Sequence, residues 1–452
     1  MHSQIPPEVW RNIFRFATFT AISLNVMDWD PYWPYARSEE AHPTKSYQST
    51  LPTKKALTLV SRHFRELSLQ YLFEVVQLFH TRNAQLLLDA ILLHTTGTRS
   101  SPTRWIKYIT VDLDSNDDSH LMDGVLKKIF PHCERLAAFG WEAKERLRGW
   151  MSDDASELMA SIPLSITALE WHRNSLGKSF NSLRNHTALR TLRVSDVLSV
   201  ARDDHAVAIP TITHLDVRTP LTCIAVSRWE LPSVAHLTID WIDEQHFDRL
   251  LGDSESRNAI RSFYIPDPLR CRSDDFPRIL ASMPKLETFS YDIAVNPDDQ
   301  TLISPTWVGV GSHASLANIY LFCRVGMDRL KGKASFLTIR DFFFGHLKPL
   351  TTRHVPLTIG IMDAQVVFEQ GDFLDKGYDA EGKQRFFDDL SANLTSPVVN
   401  VIVKWKGLFP PKVFCAVVIV FASKVVPHGL PFAKFYCAHA SKENIGVESD
   451  DL

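Results

Sequence analysis

Residues whose types and spacing could do chemistry are few in this sequence. Gly309-Val310-Gly311-Ser312-His313 sets a serine beside a histidine in a glycine-rich stretch. Side chains adjacent in sequence diverge, so the pair is not set up to share a proton as nucleophile and base. A turn is expected there. Asp372-Phe373-Leu374-Asp375-Lys376-Gly377-Tyr378-Asp379 has the glycine of a calcium loop in place. Leu374 and Lys376 stand where oxygen ligands belong, and Lys383 stands where the closing acid belongs, so a solvated loop is expected. No two of the 18 histidines lie four residues apart, and His132-Cys133 and Cys437-Ala438-His439 are isolated. Neither pattern suits a metal. Phosphate-binding glycine loops, a serine-hydrolase elbow and a zinc-protease helix motif are absent from the sequence. The expectation is a protein without catalytic residues, cofactor or metal.

The remaining polar side chains of interest form a spaced series: Glu170, His172, Arg193, Asp216, Arg218, Thr238, Asp240, Tyr264, Asp292 and Tyr320. Mixed charge with tyrosine suits recognition of a protein better than binding of phosphate. The series alternates with a second one that is strictly apolar. The spacing apolar-x-x-apolar-x-apolar occurs at Ile106/Ile109/Val111, Leu136/Phe139/Trp141, Ile166/Leu169/Trp171, Leu189/Leu192/Val194, Ile212/Leu215/Val217, Val234/Leu237/Ile239, Ile260/Phe263/Ile265, Leu286/Phe289/Tyr291 and Leu316/Ile319/Leu321. Successive middle residues lie 22 to 30 positions apart.

Repeats of roughly 20–29 residues with such a core are the sequence signature of leucine-rich repeats. Each repeat gives one short strand to a parallel sheet and buries its apolar side only by stacking on its neighbours. The polar series then faces the opposite side, towards solvent on a concave surface. Asp123–Phe130, Glu157–Ser161, His246–Leu251 and Asp274–Met283 are candidate return helices, and Pro163, Pro210, Pro232 and Pro284 precede strands. The asparagine expected past the last apolar position occurs only as Asn174, so the solenoid is expected to be irregular.

Before the repeats, Pro6-Pro7-Glu8 reads as a helix start running to about Ser23, because proline loses nothing in a first turn and an acid suits the positive end of the dipole. Residues 28–53, with Pro31, Pro34, Pro43 and Pro52, read as a loop. Helical spacing resumes at Lys54 through Ala56, Leu57, Val60, Phe64 and Leu67, and Leu69, Leu72 and Phe73 extend it. Val75, Val76 and Leu78 suggest a short strand, and Ala84–His94 a further helix.

These two segments resemble an F-box, in the divided form common among fungal F-box proteins. Ile5-Pro6-Pro7-Glu8-Val9 and Ile13-Phe14 match the family's opening element. Leu59-Val60-Ser61-Arg62-His63-Phe64-Arg65-Glu66-Leu67, followed by Tyr71-Leu72-Phe73, is similar to its second half, with Ser61 for the usual cysteine and Phe64 for the usual tryptophan. The resemblance implies docking on the Skp-type adaptor of a cullin–RING ubiquitin ligase. It assigns the contact to Ile5, Pro6, Pro7, Val9, Ile13, Phe14, Leu57, Val60 and Phe64. The target, an unknown protein, would then meet Glu170, His172, Arg193, Asp216, Arg218, Asp240, Tyr264, Asp292 and Tyr320.

The expected organisation is α/β: a helical F-box-like module over 1–80, an irregular leucine-rich-repeat solenoid over 81–350, and a C-terminal cap or extension over 351–452. In that last part 356–361, 398–405 and 413–421 read as strands, 385–394 as a helix and 442–452 as a disordered tail. The balance of 49 basic and 52 acidic residues, a net charge of −3, gives no field for nucleic acid or an anionic membrane. The longest apolar run, Val413–Ala422, is half of what a spanning helix needs. The six cysteines lack C-x-x-C pairs, as free thiols in a reducing compartment do. Cytoplasm or nucleus is the expected location.

Overall fold

The computed structural model describes residues 5–18, 43–95, 102–113, 119–143, 155–172, 178–195, 207–239, 254–265, 280–295, 313–325, 341, 343–344, 347, 356–362, 380–394 and 399–403. Three helices come first: α1 (Pro7–Ala17), α2 (Pro43–Val60) and α3 (Arg62–Phe73). Pro7 opens α1 with Glu8 in its first turn. At its end the Thr18 hydroxyl donates to the Phe14 carbonyl at 2.6 Å, beside the Thr18 backbone N–H on the same oxygen at 2.9 Å. Residues 19–23 of the expected helix lie outside the described residues.

The expected loop over 28–53 is corrected in its second half. Residues 43–53 are the first part of α2, and 28–42 lie outside the described residues. Pro43 costs nothing at a helix start, whereas Pro52 removes an interior hydrogen bond. Packing of Leu51 on the sheet offsets that loss. A second correction concerns the helix expected to run through 54–67. It breaks at Ser61, which is extended (φ −162°, ψ 167°) and whose Oγ accepts from the Phe64 N–H at 3.1 Å. Ser61 is therefore the N-cap of α3, a role serine fills well.

Twelve strands follow: β1 (Val75–Leu78), β2 (Tyr108–Leu113), β3 (Ala138–Ala143), β4 (Ala168–Trp171), β5 (Thr191–Val194), β6 (His214–Val217), β7 (His236–Ile239), β8 (Ser262–Ile265), β9 (Thr288–Val295), β10 (Asn318–Val325), β11 (Leu357–Met362) and β12 (Val399–Val403). They form one sheet whose spatial order equals chain order, and every pairing is parallel. The chain is thus α/β with a single parallel sheet built one strand at a time.

All nine apolar triplets end in β2 to β10, and their middle residues share one register row. The row begins at Val76 and continues through Ile359 to Val401. Every triplet side chain is 4% exposed or less. Helices pack on this first face: α4 (Thr81–Thr95), α5 (Ser119–Ile129) and α6 (Ser156–Ser161) add Leu88, Ile91, Met122, Leu126, Leu158 and Met159 to the same core. Of the later helices α7 (Pro220–Val226), α8 (Ser254–Ala259) and α9 (Ala380–Leu394), α7 contributes Cys223 and Val226 and α9 Phe386 and Leu390. Strand β1 belongs to the sheet although it precedes residue 80, and β11 and β12 extend the sheet past residue 350. His246–Leu251, 274–279, 413–421 and 442–452 lie outside the described residues.

Candidate binding surfaces

The second face of the sheet carries the polar series, as strand alternation requires. It is not the solvated surface expected from the sequence. Glu170, Arg193, Asp216, Tyr264, Asp292 and Tyr320 are only 3% to 7% exposed. His172 and Arg218 are half-buried, and Asp240 lies outside the described residues. The physical reason is lateral pairing. Parallel strands with matched register set one side chain of each strand beside the next, so opposite charges at the same offset neutralise each other across the sheet.

The resulting chain of contacts spans β2 to β6. The Tyr108 hydroxyl donates to Glu170 Oε2 at 2.9 Å. Arg193 Nη1 meets Glu170 Oε1 at 3.3 Å, and its Nε donates to Asp216 Oδ2 at 2.7 Å. Arg218 adds its Nη2 to the same Asp216 oxygen at 3.2 Å. Burial alone would push the Asp216 carboxyl up. The charges of Arg218 and Arg193, with a hydrogen bond from each, outweigh it and hold the group below the usual range. Gly140 is what lets the Tyr108 hydroxyl cross β3 to reach β4. A Cβ there would sit 2.8 Å from that hydroxyl and 3.4 Å from Glu170 Oε2.

Beside this ladder, His214 and His236 are register partners on β6 and β7 and stack at 4.2 Å with 10° between their planes. Burial and the neighbouring His236 lower His214 to about 3, and burial lowers His236 to about 4. Both are therefore neutral near pH 7. His172 Nδ1 and Ser195 Oγ are hydrogen-bonded at the ends of β4 and β5. Further along, the Tyr264 hydroxyl donates to Asp292 Oδ1 at 2.7 Å, and Tyr264, Tyr320 and Phe322 form a separate aromatic cluster. At the opposite end Leu51 of α2 packs against the small cluster of Val75, Tyr108, Ala138 and Ala168. The N-terminal helices thus cap the first strands of this face.

Those helices have a core of their own. Trp10, Phe14 and Phe64 meet with ring centroids 4.7 to 5.9 Å apart. The Tyr71 hydroxyl donates to the Arg11 carbonyl at 2.8 Å, tying α3 to α1. Lys107 Nζ meets Glu74 Oε1 at 2.5 Å, tying the end of α3 to the start of β2. Of the expected docking residues, Pro6, Pro7, Val9 and Val60 are exposed, and Ile5, Ile13, Leu57 and Phe64 are half-buried. Phe14, 1% exposed, is a correction: it fills the module's interior because Trp10 and Phe64 close over it. Leu59, outside the expected docking set, is 82% exposed. Its offset from Leu57 and Lys54 on one helix, both turned inward, was the signal that it points elsewhere.

Of the stretches weighed from the sequence for other chemistry, His132, Cys133 and His313 lie among the described residues. His313 Nε2 is bonded to the Met283 carbonyl at 2.9 Å, and Ser312 and residues 372–379 lie outside the described residues. Burial raises the Cys133 thiol to about 12, far from a thiolate at neutral pH. Among the described residues no group of His, Cys, Asp and Glu could hold a metal ion, and no helix is long and apolar enough to cross a membrane.

No family model matches the chain, and no curated protein matches it. Among solved structures, a Bacteroides fragilis protein from a structural genomics programme aligns with 71% of this chain and 83% of its own, at 10% identity and a TM-score of 0.37. A likeness that slight bears on neither fold family nor function.

Proposed function

We propose that the chain is a non-catalytic substrate receptor of a cullin–RING ubiquitin ligase. In this reading α1 to α3 are an F-box-like module that docks a Skp-type adaptor. The sheet with its return helices is an irregular leucine-rich-repeat solenoid that takes a target protein. The receptor's contribution to ubiquitin transfer is proximity, and the bond-making chemistry belongs to other subunits. One observation carries the reading. A small helical module is clamped to the first strand of a long ordered sheet and leaves Pro6, Pro7, Val9, Leu59 and Val60 exposed, while its own core is already complete. Exposed apolar side chains on a module with a finished interior suit an interaction surface, and a few such anchors carry most of an interface's energy.

Retention of purified Skp-type adaptor on immobilised protein tests this. Wild-type protein is expected to hold the adaptor, and the double change Pro6→Ala with Val60→Asp to lose it. Both substitutions lie at exposed positions, so thermal unfolding of the sheet should stay unchanged. If wild-type protein fails to hold the adaptor where an established F-box does, the ligase reading is lost. A repeat scaffold for protein–protein interaction then remains.

A further inference from the structure

The whole chain balances 49 basic against 52 acidic residues, but its first three helices do not share that balance. Helices α1 to α3 carry seven Lys and Arg against two Glu. Part of the excess gathers at the corner between α2 and α3. Lys55, Leu59, Val60, Arg62, His63 and Arg65 are all exposed there, and Glu66 is the one acid in that stretch. Leu59 is 82% and Val60 49% exposed. Lys55 stands one helical turn before Leu59, so the two share a face of α2.

These cations are not placed for the fold. A helix start favours acids and disfavours cations. Yet α3 opens with Arg62 and His63, and no acid stands in its first turn. Nor are they held by acids nearby. Among the described residues Lys55, Arg62 and Arg65 make no ion pair. Other cations of the same chain do. Lys107 meets Glu74, Lys127 meets Glu157, and Arg193 lies between Glu170 and Asp216. A residue that breaks a local rule with no compensating contact points to function.

The chemistry of the partner follows. Unpaired cations around an exposed aliphatic pair fit carboxylates around a small apolar cleft. Nucleic acid would use the cations but has no place for Leu59 and Val60. A membrane surface is met by a broad apolar face with aromatic side chains, and this corner offers two aliphatic ones. A protein surface uses both kinds of group, with an apolar anchor at the centre and charges at the rim.

We propose that the α2–α3 corner docks an acidic protein surface, with Leu59 as the anchor and Lys55, Arg62 and Arg65 as the charges that draw the partner in. The inference rests on the ligase reading, in which that surface belongs to the adaptor. It gives the encounter a division of labour. Rim charges act on the rate of association and its salt dependence, and a buried anchor acts on the rate of dissociation.

The test is the kinetics of purified Skp-type adaptor on the immobilised full chain, by surface plasmon resonance, between about 50 and about 500 mM salt, where screening passes from weak to strong. Wild-type association is expected to slow about tenfold over that range. The double change Arg62→Glu with Arg65→Glu should slow it about tenfold at low salt and remove most of the salt dependence. Leu59→Ser should hasten dissociation and leave the salt dependence as it is. Glutamate suits a helix start, so the double variant should fold with an unlowered thermal midpoint. Arg62→Gln with Arg65→Gln is the second pair, with a smaller change of charge, should glutamate disturb the corner. Adaptor binding that ignores both salt and the two arginines overturns this proposal and leaves the ligase reading intact. No binding by wild type removes the ligase reading and this inference with it. Wild-type retention on phosphatidylserine vesicles that is lost in the double variant assigns the corner to a membrane and overturns the protein partner.

Discussion

Gly140→Ala offers a sharp test of how the second face is built. The backbone of Gly140 is ordinary strand, so alanine is not excluded by conformation. Taken alone, the exchange should stabilise by about 0.4–1 kcal/mol through the unfolded chain. The obstacle is the Tyr108 hydroxyl, 2.8 Å from the new Cβ; the next atoms, Glu170 Oε2 and Thr110 Oγ1, are at 3.4 Å and within tolerance. Tyrosine has no freedom to shorten its reach, so the ring must swing and the hydrogen bond to Glu170 is lost. A bond to a buried charged group contributes about 1.5–3 kcal/mol. The net expectation is a loss of about 1–2 kcal/mol, the difference of these opposed terms. In a Tyr108→Phe background the clash and the bond are both gone, and Gly140→Ala should stabilise. The measurement is urea unfolding of wild type, both single variants and the double variant, compared by midpoint at constant slope. The reasoning predicts a change of sign between backgrounds. If Gly140→Ala has the same sign and size in both, the Tyr108 crossing does not require that glycine.

Two further outcomes follow from side chains buried or capped in the structure. His214 and His236 are held at about 3 and about 4, below the ordinary value, so the unfolded chain binds their protons first. Their contribution is complete above about pH 6.5 and is lost as pH falls towards those lower values, about 2 kcal/mol for each ring by pH 5. A paired His214→Gln and His236→Gln variant should flatten stability between pH 6.5 and 5 in urea titrations, and an unaltered slope would show that the stack does not set it. Ser61→Ala removes the acceptor for the Phe64 N–H and should destabilise by about 1 kcal/mol. Since Phe64 touches Trp10, the loss should also appear as faster amide exchange in α1, and exchange confined to α3 would argue against that coupling.

Much of the architecture was legible because a strand's period is two and a repeat must recur. Each triplet named its strand, and the middle residues of the triplets are register partners in the sheet. What alternation cannot tell is whether the opposite side is wet. That depends on what stands on the neighbouring strand, twenty or more residues away in the chain. The information was nonetheless present. At the position after each middle residue the sequence reads Glu170, Arg193, Asp216, alternating in sign, which is a cross-strand ladder written vertically. Helix α2 was illegible for a different reason. Its prolines and polar residues argue for a loop, and contact of Leu51 with strands distant in the chain overrides that local preference. Phe14 shows the same limit on a smaller scale, since an apolar stripe does not say whether it meets its own module or a partner.

Glycine placement ties these threads together. At the ladder offset the residue is Gly140 in β3 and Gly360 in β11, and large or charged groups fill most of the others. A missing side chain in a row of close neighbours leaves room that an adjacent strand must use or a ligand must fill. At Gly140 the room is taken by the Tyr108 hydroxyl on its way to Glu170. That leaves the Thr110 position between an occupied crossing and the unpaired amide of Gln77. The first strands of the second face are therefore divided in function. Tyr108, Gly140 and Glu170 hold the sheet together, and Gln77, one strand out and under the same helical cap, is left with hydrogen-bonding capacity that the fold does not use.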